Sequence, residues 1–123
     1  MSKTTSVLLV EDDKYLSSSL FEQLTRELYD TKVANDGQEA LDRLKENQFD
    51  LVILDLKLPK VNGFDVLQHI KTNAPFTKVI VLTSYADLNN VEKVKQLGAD
   101  DVIEKPYDLG ELFDAINFVM KKK

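Results

Sequence analysis

The sequence lacks cysteine and long apolar runs. Without cysteine the chain has no disulfide framework, no thiolate metal site and no cysteine nucleophile, which is compatible with the cytoplasmic location that we expect. The longest apolar runs, such as Val7–Val10, contain four residues, whereas a membrane-spanning helix needs about 20. Residues 1–6 are not followed by the apolar segment of a secretory signal, so we expect neither a leader nor a membrane span.

An excess of positive charge is also missing. The chain has 16 Lys and Arg against 21 Asp and Glu, a formal net charge of −5, which is the wrong sign for neutralising phosphates. We therefore expect no direct binding to nucleic acid. The 123 residues are 43% hydrophobic and contain no repeat, linker or low-complexity stretch. This composition predicts a single globular domain over residues 1–123 with one core.

Three apolar runs are typical of strands that are buried on both faces of a parallel sheet. They are Val7–Val10, Leu51–Leu54 and Val79–Leu82, and each is rich in Val, Ile and Leu. Two more mixed segments, Thr31–Asn35 and Asp101–Ile103, are predicted to be the remaining strands.

Between these segments the apolar residues recur at helical spacing. The apolar positions of the five predicted helices are Leu16, Leu20, Leu24 and Leu28; Ala40, Leu41 and Leu44; Phe64, Leu67 and Ile70; Leu88, Val91, Val94 and Leu97; and Leu109, Leu112, Phe113, Ile116 and Val119. Asn35–Gly37 and Asn62–Gly63 are predicted helix starts, and Gly98 is a predicted helix end. The alternation predicts an α/β fold with helices on both faces of an open parallel sheet, in a strand order that the pattern leaves open.

Polar side chains follow four of the predicted strands. They are Glu11, Asp12 and Asp13; Asp55; Thr83 and Ser84; and Glu104 and Lys105. Ligands of open parallel sheets bind at the carboxyl ends of the strands, so these side chains are predicted to share one edge. Crowded carboxylates repel one another, and a hard divalent cation with oxygen ligands relieves that repulsion. The sequence therefore predicts a Mg²⁺ site suited to phosphoryl transfer, with Asp55 as the nucleophile.

The order of these motifs resembles the receiver domain of two-component response regulators, the CheY-like family. The resemblance rests on Val10–Asp13, on Leu54–Pro59 leading to Asn62–Gly63, on Leu82–Ser84, on Gly98–Asp101 and on Lys105–Pro106, and it covers essentially the whole chain. It implies a five-stranded (βα)₅ flavodoxin-like, doubly wound fold. It also implies a signalling domain that catalyses only its own aspartyl phosphorylation and dephosphorylation.

The resemblance assigns a role to each matching residue. Asp55 matches the phosphoacceptor, Thr83 the hydroxyl that moves to the phosphoryl group, and Lys105 the ammonium that contacts it. Asp12, Asp55 and the backbone carbonyl of Lys57 match the Mg²⁺ ligands, and Glu11 matches an acid that acts through water. The Lys105–Pro106 bond is expected to be cis.

Two positions modify these expectations. Val102 stands where the family usually has Tyr or Phe, so the coupling of phosphorylation to the surface of the last two helices and last strand is expected to differ; Tyr107, a usual aromatic of the family, is wrongly placed to substitute. Tyr85 lies two residues after Thr83, as Lys57 lies two after Asp55. In the family these positions flank the path of the hydrolytic water, so a bulky Tyr85 is predicted to lengthen the life of the phosphoryl group.

The resemblance implies a sensor histidine kinase or phosphotransfer protein as donor and a downstream protein, or a further output domain, as receiver of the signal. Two alternatives stay open at this point. One is a receiver-like interaction scaffold that does not use phosphorylation. The other is an aspartyl-phosphate phosphohydrolase, which would need a second Asp at the position of Lys57. A nucleotide- or flavin-binding protein is disfavoured because Glu11–Asp13 stands where a glycine-rich phosphate loop is needed.

Other polar residues have plainer interpretations. Asp13 is predicted to cap a helix or to be a solvated acid. His69, the only histidine, is predicted to be a surface residue and neither a metal ligand nor a catalyst. Lys121–Lys123 are predicted to complement the carboxyl end of the last helix.

Overall fold

The computed structural model describes residues 4–58, 60–83 and 88–121, with the backbone alone at 88–90. It contains one five-stranded parallel sheet in the order β2-β1-β3-β4-β5. The strands are β1 (Ser6–Val10), β2 (Asp30–Ala34), β3 (Leu51–Asp55), β4 (Lys78–Thr83) and β5 (Asp101–Glu104). The helices are α1 (Lys14–Arg26), α2 (Gly37–Glu46), α3 (Gly63–Asn73), α4 (Leu88–Gln96) and α5 (Leu109–Lys121). This architecture confirms the predicted doubly wound α/β fold.

The sheet separates two apolar layers. On one face, residues of α2, α3 and α4 pack against alternate strand residues such as Leu8, Val52 and Val81. On the other face, α1 and α5 cover the intervening residues, which include Leu9 and Ile53. The apolar runs Leu51–Leu54 and Val79–Leu82 of the central strands are buried because helices cover both of their faces, and this explains why these runs lack polar alternation.

Strand β2 begins and ends one residue earlier than predicted. The register with β1 pairs Ser6 with Asp30 and Val10 with Ala34, so Asn35 lies beyond the ladder. Asn35 instead donates a side-chain hydrogen bond to the backbone carbonyl of Glu11, at 2.9 Å. The polar residue that ended the predicted strand therefore ties the carboxyl end of β2 to that of β1.

Helix α1 is shorter than the leucine spacing predicted, because Leu28 is not in it. The helix ends at Arg26, and Leu28 has a φ of 68° and is 82% exposed. The backbone N–H of Tyr29 bonds to the carbonyl of Leu24 at 3.0 Å, which closes the helix and turns the chain toward β2. A left-handed residue is needed at this reversal, and here it is a leucine rather than the usual glycine.

The other predicted helix boundaries agree with the structure. Asp13, Asp36 and Asn62 are the N-caps of α1, α2 and α3, each with a side-chain oxygen that accepts backbone N–H bonds. Gly98 follows α4 with a φ of 106°, a left-handed conformation that glycine adopts at little cost. Within the described ranges, none of the helices has the length and apolarity to cross a bilayer.

Candidate functional site

The carboxyl ends of β1 and β3 bring the predicted acids together. These two strands are parallel neighbours at the centre of the sheet, with Val10 opposite Leu54. Glu11 directly follows β1 and Asp55 ends β3, so the two residues lie side by side at the carboxyl ends of the strands. Both are buried, with 1% and 5% of their surface exposed.

Asp55 is held by donors on both of its carboxylate oxygens. Lys105 Nζ donates to Oδ2 at 2.8 Å, and the backbone N–H of Lys57 donates to Oδ1 at 3.0 Å. A buried carboxylate needs such partners because leaving water is costly for a charge. The Lys57 bond also holds the backbone immediately after β3 against this carboxylate.

Glu11 shares the same lysine. Its Oε1 lies 3.1 Å from Lys105 Nζ, and its Oε2 accepts the backbone N–H of Asp13 at 3.2 Å. Burial and the neighbouring charge of Asp55 raise the pKa of Glu11 to about 7, and the bonds from Asp13 and Lys105 only partly oppose that rise. One ammonium is thus shared between two buried carboxyl groups.

Lys105 reaches the site from the end of β5. Burial alone would lower the pKa of Lys105, but hydrogen bonds and charges from Asp55 and Glu11 outweigh it and raise that pKa above its ordinary value. The backbone N–H of Lys105 donates to the carbonyl of Thr83 at 2.6 Å, and the Lys105–Pro106 bond is cis, as expected. Lys105 therefore remains an ammonium over the physiological pH range.

A third acid completes a cluster with oxygen ligands. Glu11, Asp12 and Asp55 each offer a carboxylate oxygen, and these oxygens lie within 4.8 Å of one another. Glu11 and Asp55 are buried, whereas Asp12 is exposed at the mouth of the cluster. An all-oxygen donor set with more negative than positive charge fits a hard divalent cation that keeps several waters, such as Mg²⁺.

Thr83 is at the same sheet edge, as the last residue of β4. It is 6% exposed, and the ladder sets it opposite Glu104, one residue before Lys105. Its neighbours Ser84 and Tyr85 lie outside the described residues, as does Pro59. The predicted effect of Tyr85 on the life of a phosphoryl group therefore remains a prediction.

The loop after Asp55 is fixed by close backbone packing. A Cβ at Gly63 would lie 2.6 Å from the Cα of Leu56, and the N–H of Gly63 donates to the carbonyl of Leu56 at 3.2 Å. Only glycine permits this approach. On its outer side the loop is tied to α2 by an ion pair of Lys60 with Asp36, at 3.3 Å.

Sequence reasoning missed two features near the cluster. Asn35 was predicted only to mark the change from a strand to a helix, yet its side chain donates a hydrogen bond to the Glu11 carbonyl. Its position after a strand was the only sign of this contact in the sequence. The hydroxyl of Tyr107 is buried and makes no hydrogen bond to any described residue, and burial raises its pKa although the charge of Lys105 acts in the opposite direction. Contacts between distant segments of this kind leave little trace in one sequence.

The sequence model of the response regulator receiver domain matches residues 7–117. The chain belongs to this family. Receiver domains are signalling domains of two-component systems, and the cluster of Glu11, Asp12 and Asp55 fits the acidic phosphorylation site of such a domain. The family resemblance drawn from the strand-end motifs is thereby confirmed.

Curated relatives include proteins named response regulator ArlR. The protein from Staphylococcus haemolyticus is 34% identical over 119 residues, covering 97% of this chain and 54% of the relative. That from Staphylococcus aureus is 35% identical with the same coverage. The chain thus spans about half the length of the curated relatives it matches.

Solved receiver structures have the same fold. A CheY-like receiver domain protein from Methanospirillum hungatei superposes with a TM-score of 0.93 at 29% identity, covering 98% of this chain and 96% of the other. The non-phosphorylated HemR receiver domain from Leptospira biflexa gives a TM-score of 0.92 at 34% identity, covering 98% and 97%.

Val102 is the position at which the resemblance predicts a departure from the usual pattern of the family. Val102, in β5, is partly buried and packs against the core that α2, α3 and α4 cover. The predicted effect of Val102 on the coupling of phosphorylation to the surface remains a prediction. His69 lies on α3, where its Nδ1 is 3.3 Å from the side-chain nitrogen of Asn73.

Proposed function

We propose that this receiver domain, a single unit over residues 1–123, is a phosphorylation-dependent switch of a two-component phosphorelay. Asp55 accepts a phosphoryl group from a phosphohistidine of a sensor histidine kinase or phosphotransfer protein. The observation that carries this proposal is the buried Asp55 carboxylate, 2.8 Å from Lys105 Nζ, beside two further acids at the end of the neighbouring strand.

The transfer is a displacement at phosphorus. A carboxylate oxygen of Asp55 forms the new phosphorus–oxygen bond while the phosphorus–nitrogen bond of the donor breaks, and its electron pair returns to the imidazole nitrogen. Lys105 stabilises negative charge on the phosphoryl oxygens, and the Thr83 hydroxyl donates to one of them after transfer. Hydrolysis of the acyl phosphate by water restores the carboxylate, so the domain catalyses only its own modification.

The residues proposed to hold Mg²⁺ are Asp12, Asp55 and the backbone carbonyl of Lys57, with Glu11 acting through water. When bound, the ion neutralises the acidic cluster and the charge that develops on the phosphoryl oxygens. Support comes from the oxygen donor set and from the excess of carboxylates over cations in the cluster. The Lys57 N–H bond to Asp55 brings the backbone of Lys57 to the same carboxylate.

The signal is proposed to leave through α4, β5 and α5, toward a downstream protein or an output domain. Thr83 and Lys105 connect the cluster to this side, because they end β4 and follow β5. The relatives named response regulator ArlR are longer than the matched region. Phosphorylation then acts by changing the affinity of this surface for its partner.

Intact mass spectrometry tests the proposal. The chain is incubated with Mg²⁺ and phosphoramidate, beside a metal-free sample, Asp55→Asn, and Asp114→Asn as a matched change of an exposed acid on α5. We expect a Mg²⁺-dependent gain of one phosphoryl group in the parent and in Asp114→Asn, and none in Asp55→Asn. A folded parent that gains nothing from phosphoramidate or from any histidine kinase would favour the unphosphorylated scaffold.

The phosphohydrolase alternative has less support. That chemistry needs a second carboxyl group two residues after the nucleophile, and Lys57 stands there. Turnover of a small phosphomonoester by the chain, with loss in Asp55→Asn, would favour the hydrolase over the switch.

A further inference from the structure

An open pocket with a mixed polar and apolar lining lies at the edge strand β2, between α1 and α2. Its volume is about 540 Å³, and its lining includes Lys14, Lys32, Arg43, Ser17, Asn35 and Phe21. We call it the basic pocket. Of the residues that the structure describes, none that line this pocket is acidic. This is unexpected on a chain whose net charge is −5.

The three cations of the basic pocket come from three different elements. Lys14 begins α1, Lys32 is in β2 and Arg43 is in α2. Lys14 and Lys32 form no ion pair with the residues that the structure describes. Lys14 also sits at the amino end of a helix, where the helix dipole disfavours a cation. Local helix stability therefore does not explain its charge.

Arg43 is only partly neutralised. Its Nε is buried and has no hydrogen-bond partner among the described residues. Glu39 Oε1 lies 3.7 Å away, which is an ion-pair distance but not a hydrogen bond. Glu39 therefore faces the buried Nε without a hydrogen bond, and the guanidinium remains a cation in the lining of the basic pocket.

The basic pocket adjoins the acidic cluster. Asn35, in its lining, donates to the backbone carbonyl of Glu11, and Lys14 follows the N-cap Asp13 directly. A protein that approaches Asp55 to deliver a phosphoryl group would therefore also reach this pocket. The cations of the basic pocket therefore lie beside the carboxylates of the acidic cluster.

We infer that the basic pocket docks an acidic segment of the protein partner that phosphorylates Asp55. An extended peptide fits the open shape better than a small anion, because Lys14 and Lys32 are exposed at the surface and only Arg43 is partly buried. Phe21, 40% exposed, offers a contact for one apolar side chain among the acids. The identity of the partner rests on the proposed function, whereas the charge preference of the pocket does not.

Fluorescence anisotropy tests this inference with the full chain and a labelled peptide of Glu and Asp with one central Leu. We expect saturable binding that weakens about fivefold in Lys32→Gln and at least tenfold in Lys32→Glu, as expected for loss and reversal of a partly desolvated charge. Lys95→Glu, the same reversal at an exposed position of α4, should leave binding within about twofold.

Two further arms decide the interpretation. Asp55→Asn should still bind the peptide, because Asp55 is not in the lining of the pocket. This variant separates a failure of phosphorylation from a failure of docking. Equal weakening in Lys32→Glu and Lys95→Glu would overturn the inference, because binding would then reflect net charge alone. So would inorganic phosphate that displaces the peptide at comparable concentration, since that result identifies a small-anion site.

Discussion

Two largely buried lysine–aspartate pairs lie at opposite ends of the parallel strands, and they differ in charge balance. Lys71 Nζ lies 3.0 Å from Asp100 Oδ2 and donates to the carbonyl of Thr77, while the same Oδ2 accepts the N–H of Val79. One cation there faces one carboxylate. At the carboxyl edge, one cation, Lys105, faces two buried carboxyl groups with a third acid beside them.

The balanced pair is structural. It joins the end of α3 to the start of β4 and to the loop before β5, and every polar atom named has a partner inside the chain. The unbalanced site has an excess of carboxyl groups over cations, and we propose that a cation, or a phosphoryl group with its cation, completes it. Two lysine–aspartate pairs with similar distances are therefore distinguished by the number of carboxyl groups that face the lysine.

Breaking the balanced pair should have the largest effect on stability. In Asp100→Asn, Lys71 loses its carboxylate while still largely shielded from water, so we expect the free energy of unfolding to fall by about 3 kcal/mol. Urea denaturation measures this change. Phosphorylation by phosphoramidate at a temperature where the variant is folded should be normal; a loss of phosphorylation there would show that the pair also supports the site.

The unbalanced site should impose a pH dependence on stability. The pKa of Glu11 is about 7 in the folded chain against 4.5 ordinarily, so between these values the folded state binds more protons than the unfolded state. Stability without metal should therefore fall as pH rises from about 4.5 to about 7, by about 2 kcal/mol.

Glu11→Gln provides the control for that slope. The substitution keeps the shape and an acceptor for Lys105 but removes the titrating group, so the decline between these pH values should flatten. Parallel slopes for the parent and Glu11→Gln, measured by urea denaturation in a metal chelator, would assign the dependence to other groups.

The smallest expected effect lies beside the balanced pair. In Gly98→Ala the new Cβ would lie 2.9 Å from Lys71 Cγ, and the alanine would have to adopt a φ of 106°. We therefore expect the free energy of unfolding to fall by about 1 kcal/mol. Thermal unfolding measures it. Gly110→Ala, in the first turn of α5 with a nearest contact of 3.1 Å to the Asp108 side chain, is the comparison and should cost less. Equal losses would mean that the conformation at Gly98 carries no special strain.

Much of this fold could be predicted because its signals are local. Strands buried on both faces contain unbroken apolar runs such as Leu51–Leu54, and N-caps such as Asp36 stand directly before their helices. The acids at the strand ends were predicted to meet because parallel strands present their carboxyl ends at one edge. Glu11, Asp12 and Asp55 do meet there.

What could not be predicted depends on contacts between distant residues. The leucine spacing extended α1 to Leu28, but the turn into β2 requires a left-handed residue at that point. The sharing of Lys105 by Glu11 and Asp55 joins residues 94 and 50 positions apart in the sequence. The Lys71–Asp100 pair likewise spans 29 positions, and nothing in its local sequence marks it.

The contrast in charge balance is tested most directly by the same substitution at both sites. The free energies of unfolding of Asp55→Asn and Asp100→Asn are measured by urea denaturation at pH 8 in a metal chelator. Asp55→Asn leaves Lys105 with Glu11 as a balanced pair, so we expect stability to rise by about 1 kcal/mol, while Asp100→Asn loses stability. A loss of stability in both variants would contradict an excess of negative charge at the carboxyl edge of the sheet.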